Sequence, residues 1–270
     1  DELKADYRRL MIENHPDNRL FDIESFVEQA PAWDGSAGDY LIFDRTLVGH
    51  LWRPVIRLAL ARSQWTVVEV ESLTKYHQLG LDLVTAGVVY FPLRMVDNFG
   101  DPVTERIGMR ALWQLRANLG LTPAEMVVTT LPASSDVSQE RRLHRHFRNA
   151  SLLAGAFEGN SVWQAHHPSL ADHPDHLLAR RWGVSGGLLF LKSAHPDARA
   201  ERLADALQQA ACRAGLTISR RAGFGFNETS LDVWGARTLR VAAGTERLGV
   251  ALRLTELFRT VTAAEGVRSQ

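Results

Sequence analysis

Strand-like and helix-like segments alternate in the first third of the chain, and this order restricts the folds open to it. Residues 40–43 form a short apolar run, and residues 66–70 form a β-branched run, each typical of a strand. Between them, residues 54–63 place apolar side chains at helical spacing, and a further apolar run follows at 88–91. A strand, a helix and a strand at this spacing predict a βαβ unit in a mostly parallel sheet, and hence an α/β fold.

The last third of the chain changes character. Helix-like and strand-like segments follow one another there, at 187–191, 197–214, 216–219, 239–242 and 248–262. Before them, a helix over residues 138–157 is basic in its first half and long enough to connect two bodies. The sequence therefore predicts a larger domain over 1–140, a connecting helix over 141–160 and a smaller α+β domain over 161–270.

Composition excludes several classes of protein. Apolar residues make up 45% of the 270 residues and charged residues 23%, as in ordinary globular proteins. The 31 basic and 31 acidic residues cancel, which disfavours a nucleic-acid partner. No stretch approaches the roughly 20 apolar residues of a membrane span. The single cysteine, Cys212, excludes an intrachain disulfide and favours a reducing, cytoplasmic location.

Two of the strand-like runs lead to residues that suit cofactor chemistry. Asp44 ends the first run, and Lys75 follows the second after a short polar stretch. Ligands of open α/β sheets bind at the carboxyl ends of the strands. Pyridoxal phosphate needs a lysine for its Schiff base and an acid beside its pyridinium nitrogen, and Ser72 and Thr74 could donate hydrogen bonds to its phosphate. Such residues are common in α/β proteins, so a structural role for them stays open.

Longer motifs around these residues point to one family. The motifs are Ile42-Phe43-Asp44-Arg45-Thr46 before Arg53-Pro54, Ser72-Leu73-Thr74-Lys75-Tyr76, Glu13-Asn14-His15-Pro16-Asp17-Asn18, Arg142 with His146 and Asn149, and Leu239-Arg240-Val241-Ala242-Ala243-Gly244-Thr245-Glu246. Taken in the order in which they are listed, these motifs resemble five segments of a known family: its aspartate strand, its Ser-x-Thr-Lys-Tyr, its Glu-Ser-Pro-x-Asn stretch, its long helix and its Leu-Arg-x-Ser-x-Gly-x-Glu. Along the chain they follow one another as they do in the family. This is the Cys/Met-metabolism family of pyridoxal-phosphate enzymes, which includes cystathionine γ-synthase, cystathionine lyases and methionine γ-lyase.

The resemblance implies a fold, a reaction and a set of site residues. The fold is type I, with part of a cofactor-binding large domain followed by a smaller α+β domain. The reaction is β- or γ-elimination or replacement on an amino acid, often a sulfur-containing one, catalysed by a homodimer or homotetramer. The implied roles are Schiff base and general base for Lys75, pyridinium partner for Asp44, phosphate binding for Ser72 and Thr74, a place beside the ring for Thr46, and substrate-carboxylate binding for Arg240.

The sequence also departs from the family pattern. Arg45 stands where the family usually has Asn, and Gly223 stands where a Ser often assists the carboxylate-binding arginine. The family's large domain begins upstream of the segment that resembles Glu13–Asn18, so we expect an upstream segment or a separate chain to complete the site. These departures keep two alternatives open, a non-catalytic partner subunit of such an enzyme and an aminotransferase of the same fold.

Overall fold

The structure is a computed structural model that describes residues 18–20, 22, 25, 40–44, 46, 66–73, 76, 87–90 and 136–268. Its elements form two sheets, one of three strands and one of five. Among the described residues, no helix is both long and apolar enough to cross a membrane.

The three-stranded sheet contains the predicted parallel pair. Strands β1 (Tyr40–Asp44) and β2 (Thr66–Ser72) run parallel, with Asp44 opposite Val70. Strand β3 (Gly87–Tyr90) runs antiparallel on the other side of β2. The helix predicted at 54–63 lies outside the described residues. Because β1 and β2 are parallel neighbours, their carboxyl ends lie at the same edge of the sheet.

Helix α1 (Asp136–Gly155) follows, close to the predicted 138–157. The apolar residues of this helix, which recur at helical spacing, are buried, among them Leu143, Phe147 and Leu153. The helix ends at Gly155, and the turn after it still buries Phe157. The amphipathic spacing of the sequence therefore identifies the buried face of α1 correctly.

The five-stranded sheet and its helices form the rest of the described chain. The elements are β4 (Gln164–His166), α2 (His176–Trp182), β5 (Leu188–Lys192), α3 (Ala200–Arg213), β6 (Ser219–Arg220), β7 (Ser230–Gly235), β8 (Thr238–Ala242) and α4 (Leu248–Arg268). The strand order is β4-β5-β8-β7-β6, and every pair is antiparallel except β6 with β7. The α+β class of this region is the one predicted. Strands β4 and β7 and helix α2 were not predicted, and the strand expected at 216–219 is present only as β6, Ser219–Arg220. Helix α3 begins at Ala200, whereas the sequence predicted this segment from 197, so the expected start is wrong.

The two faces of this sheet differ. Leu189, Leu191, Leu239 and Val241 point into the apolar core, which they share with residues of α1, α3 and α4. Side chains alternate between faces along a strand, so Arg240 of β8 belongs to the opposite face. The same face carries its register partners, Phe190 on β5 and Asp232 on β7.

A short N-terminal segment is bound to the five-stranded sheet. The side-chain amide of Asn18 donates to the carbonyl oxygens of His166 and Leu188, at 3.2 Å and 2.8 Å. Arg19 donates two hydrogen bonds to the Asp175 carboxylate, at 2.7 Å and 2.9 Å. Asp175 is buried, so these bonds fix the segment against the loop before α2.

Candidate active site

The carboxylate of Asp44 is oriented by the turn that follows β1. The backbone N–H and the hydroxyl of Thr46 both donate to Asp44 Oδ1, at 2.9 Å and 2.5 Å. A short acidic side chain that bonds the backbone two residues on forms an Asx turn. Among the described residues, only Thr46 bonds this carboxylate, and Asp44 is exposed. Both of these hydrogen bonds go to Oδ1, and no described residue donates to Oδ2.

Thr46 also connects Asp44 to the end of β2. The backbone N–H of Ser72 donates to the Thr46 hydroxyl oxygen at 2.9 Å. The hydroxyl thus accepts one hydrogen bond from β2 and donates one to the carboxylate at the end of β1. We call Asp44, Thr46 and Ser72 the strand-end cluster. The structure brings these predicted cofactor-binding residues together at the edge where ligands of α/β sheets bind.

Thr74 and Lys75 lie outside the described residues, whereas the next residue, Tyr76, is described. Tyr76 is only 2% exposed. Its ring meets the ring of His146 edge-on, with centroids 5.1 Å apart, and the ring of Phe224 lies 5.8 Å away. These contacts fix the residue next to Lys75 against α1 and the loop that precedes β7.

His146 holds α1 against the end of β8. Its Nδ1 lies 2.5 Å from the carbonyl oxygen of Ala243. Because a carbonyl oxygen only accepts, Nδ1 is protonated and donates this hydrogen bond. Complete burial lowers the pKa of His146 to about 3, and the ring is neutral at physiological pH. Gly187 lies directly over this histidine, since a Cβ there would lie 3.1 Å from His146 Cβ.

The loop of residues 223–229 is bound to α1 by hydrogen bonds from Arg142. Arg142 donates hydrogen bonds to the carbonyl oxygen of Gly225 and to the side-chain oxygen of Asn227. Gly223 in this loop has a φ of 108°, which an L-residue with a side chain rarely adopts. A serine at this position would be strained in this backbone.

Arg240 is buried on the sheet face opposite the helices. Its Nη2 donates to Asp232 Oδ2 at 2.7 Å, and its guanidinium carbon lies 4.8 Å from the centre of the Trp234 ring. Burial lowers the pKa of Arg240, whereas the charge of Asp232 and its hydrogen bond raise it. The residue expected to bind a substrate carboxylate therefore already contacts a carboxylate of the chain.

The contacts of Asp232 and Trp234 with Arg240 were not expected from the sequence, because no strand was predicted at 230–235. A signal was present. The alternation in Ser230-Leu231-Asp232-Val233-Trp234 and the glycine after it are typical of a strand entering a hairpin. Folding that hairpin back onto 238–242 would have placed Asp232 close to Arg240.

Comparison with known proteins gives similarity in structure alone. No family model and no curated protein matches the sequence. A methionine γ-lyase from Micromonospora echinospora matches 92% of this chain with a TM-score of 0.65 and 17% identity. A cystathionine γ-synthase from Xanthomonas oryzae pv. oryzae matches 93% with a TM-score of 0.63 and 19% identity. Cystathionine γ-lyase from yeast matches 94% with a TM-score of 0.63 and 16% identity.

The chain has the fold of these enzymes. This confirms the predicted fold class, and it agrees with the family resemblance of the motifs. The matches cover 60%, 62% and 63% of the three solved chains, so the sequence spans about three fifths of their length.

Proposed function

We propose that the protein is a pyridoxal-phosphate-dependent lyase or transferase that performs β- or γ-elimination or replacement on an amino acid. The observation that carries the proposal is the strand-end cluster, in which the Thr46 hydroxyl joins Asp44 to Ser72. The shared fold supports it, because structures described as γ-lyases and γ-synthases match over more than nine tenths of this chain.

The residues of the cluster fit the cofactor. Asp44 has one oxygen fixed by Thr46 and is exposed, so the other can accept a hydrogen bond from a pyridinium N–H. The negative charge would keep that nitrogen protonated, because an opposite charge nearby favours the charged form. Ser72, with Thr74, would hold the phosphate, Thr46 would lie beside the ring, and Lys75 would form the Schiff base.

Each proposed residue has a defined task in the reaction. The bound cofactor supplies an electron sink for the negative charge that develops at the substrate Cα. Lys75, once the substrate amine has taken its place on the cofactor and freed its own amine, would accept the proton from Cα as general base. Arg240 binds the substrate carboxylate, and Asp44 maintains the positive charge that makes the ring an electron acceptor.

The lysine content of the chain allows a direct test. The sequence contains only Lys4, Lys75 and Lys192. The purified protein is incubated with pyridoxal phosphate, reduced with borohydride so that the imine becomes a stable amine, and digested for mass spectrometry. We expect the added cofactor mass on the peptide that contains Lys75.

Lys192 provides the matched control for this test. It lies on β5, opposite Gln164 and Thr238. Lys192→Ala should keep the trapped cofactor and the yellow absorption, and Lys75→Ala should lose both. Trapping on Lys192 or Lys4 instead of Lys75 would contradict the proposal.

A non-catalytic partner subunit is the second candidate, and the contact between Asp232 and Arg240 favours it. A folded protein that traps no cofactor in the same experiment would support that role. An aminotransferase of the same fold is separated by its products, because transamination leaves the side chain of the amino acid intact.

We also propose a cytoplasmic homodimer or homotetramer, completed where needed by a further segment or chain. The motif resemblance supports this assembly. Light scattering of the purified protein, together with its intact mass, measures both the subunit number and the polypeptides present.

A further inference from the structure

The guanidinium of Arg240 is enclosed by two side chains of β7. Asp232 Oδ2 accepts a hydrogen bond from Arg240 Nη2 at 2.7 Å and another from the indole N–H of Trp234 at 2.8 Å. The Trp234 ring lies beside the guanidinium, and the Phe190 ring meets Trp234 edge-on with centroids 5.3 Å apart. Asp232 is thus held in place by the same aromatic residue that contacts Arg240.

The two charged side chains differ in burial. The Arg240 side chain is 6% exposed, whereas that of Asp232 is 25% exposed. A buried guanidinium binds a carboxylate strongly because little water competes for its donors. Asp232 can turn toward water and remain solvated, whereas Arg240 cannot. The exposed partner of the pair is therefore the one that can be displaced.

Asp232 accepts one N–H of Arg240 Nη2, and a substrate carboxylate bound through both terminal nitrogens of the guanidinium would need that nitrogen as well. An incoming carboxylate would meet a neutral pair instead of a free positive charge, and it would experience the like charge of Asp232. It gains the full attraction of Arg240 only when the Asp232 carboxylate moves away. Binding of the substrate then carries the cost of breaking two hydrogen bonds within the chain.

We propose that Asp232 is a built-in competitor for the carboxylate site of Arg240 and sets how tightly that site holds an amino acid. This inference rests on the proposed function, since it takes Arg240 as the carboxylate-binding residue. Trp234 strengthens the competition by anchoring Asp232 Oδ2. Asp232 is a positioning residue that acts through Arg240 and takes no part in the bond-breaking steps.

The test measures binding of L-alanine by calorimetry to the cofactor-loaded protein. L-alanine has no β- or γ-leaving group, so it binds without completing elimination, and L-alaninamide is the matched probe without a carboxylate. Asp232→Asn keeps the size of the side chain and removes its charge. We expect it to bind L-alanine about tenfold more tightly, which corresponds to about 1.4 kcal/mol, with the affinity for L-alaninamide unchanged.

Three further variants separate competition from a structural role. Asp232→Glu restores the charge and should return the affinity to the wild-type value. Asp205→Asn removes a carboxylate paired with Arg220 on the exposed side of α3, and should leave the affinity unchanged. Trp234→Phe removes the anchoring N–H while keeping an aromatic ring, and should tighten L-alanine binding by a smaller factor even if Asp232→Asn fails to fold.

The outcomes distinguish this inference from the proposed function. A gain in affinity cannot arise from misfolding, so tighter binding of L-alanine alone supports competition. Unchanged or weaker binding of L-alanine by Asp232→Asn, in protein that traps the cofactor on Lys75, overturns the inference and leaves the proposed function standing. Protein that takes up no cofactor overturns both.

Discussion

The hydroxyl of Thr46 joins the ends of β1 and β2, because it bonds Asp44 and also Ser72, which lies 26 positions further along the chain. One hydroxyl can donate one hydrogen bond and accept others, and Thr46 uses both abilities, toward Asp44 and from Ser72. The position and orientation of the carboxylate thus depend on β2 as well as on β1. A cofactor held between these strand ends would be bound by groups that are already ordered relative to one another.

Replacing Thr46 with valine tests this connection at the scale of a single residue. Valine keeps the shape but breaks both hydrogen bonds of the hydroxyl, and each such bond contributes about 0.5–1.5 kcal/mol. We expect Thr46→Val to weaken pyridoxal-phosphate binding about three- to tenfold, measured by absorbance titration. Thr46→Ser retains a hydroxyl and should bind the cofactor nearly as the wild type does. Equal affinities for the valine variant and the wild type would refute the connecting role.

Sequence patterns located the strand-end cluster because the period of the apolar residues reveals where each strand ends. Asp44 is identified in this way, because it directly follows the apolar run. Ser72 lies beyond the run predicted at 66–70 and is singled out as a hydroxyl close to Lys75. The parallel pairing of the two strands follows from the intervening helix-like segment. The contact between Asp232 and Arg240 was missed for a different reason. No strand was predicted at 230–235, so the hairpin that pairs Asp232 with Arg240 was not expected. Its register also includes a bulge between Val233 and Gly235, which is set by local backbone geometry.

At the scale of elements, the segment after β8 passes very close to the loop before β7. A Cβ on Gly244 would lie 2.5 Å from the carbonyl oxygen of Asn227 and 2.6 Å from the backbone nitrogen of Thr229. Both neighbours are backbone atoms, so they cannot move aside as a flexible side chain does. The loop that faces Tyr76 is thereby tied to the end of the strand that carries Arg240.

Gly244→Ala should therefore destabilise the protein, by about 1–3 kcal/mol as overpacking usually does. Denaturant unfolding measures the free energy of unfolding. The matched control is Gly249→Ala in the first turn of α4, where an added Cβ has nothing within 4 Å. That variant should be as stable as the wild type or slightly more so, because alanine favours a helix. Equal free energies of unfolding for both variants would contradict this prediction, because they would mean that the loop accommodates the added methyl group at position 244 without cost.

Across the whole molecule, two buried histidines link stability to pH. Burial lowers the pKa of His146 to about 3 and that of His167 to about 4. His146 Nδ1 donates to Ala243, and His167 Nδ1 accepts the backbone N–H of Ser169, so its Nε2 donates to Gly186. Both rings are neutral in the folded state and would gain protons on unfolding below their ordinary pKa of 6.5.

The free energy of unfolding should therefore fall as the pH is lowered from about 6.5 toward 4. The unfolded state binds more protons than the folded state in this window, and each histidine contributes up to about 1.4 kcal/mol per pH unit. His146→Asn retains a side-chain donor for Ala243 but cannot titrate, so denaturant unfolding at several pH values should show a shallower slope. His144→Asn, at an exposed position of the same helix, should keep the wild-type slope. A slope unaltered by His146→Asn would mean that this ring is not held neutral by the fold.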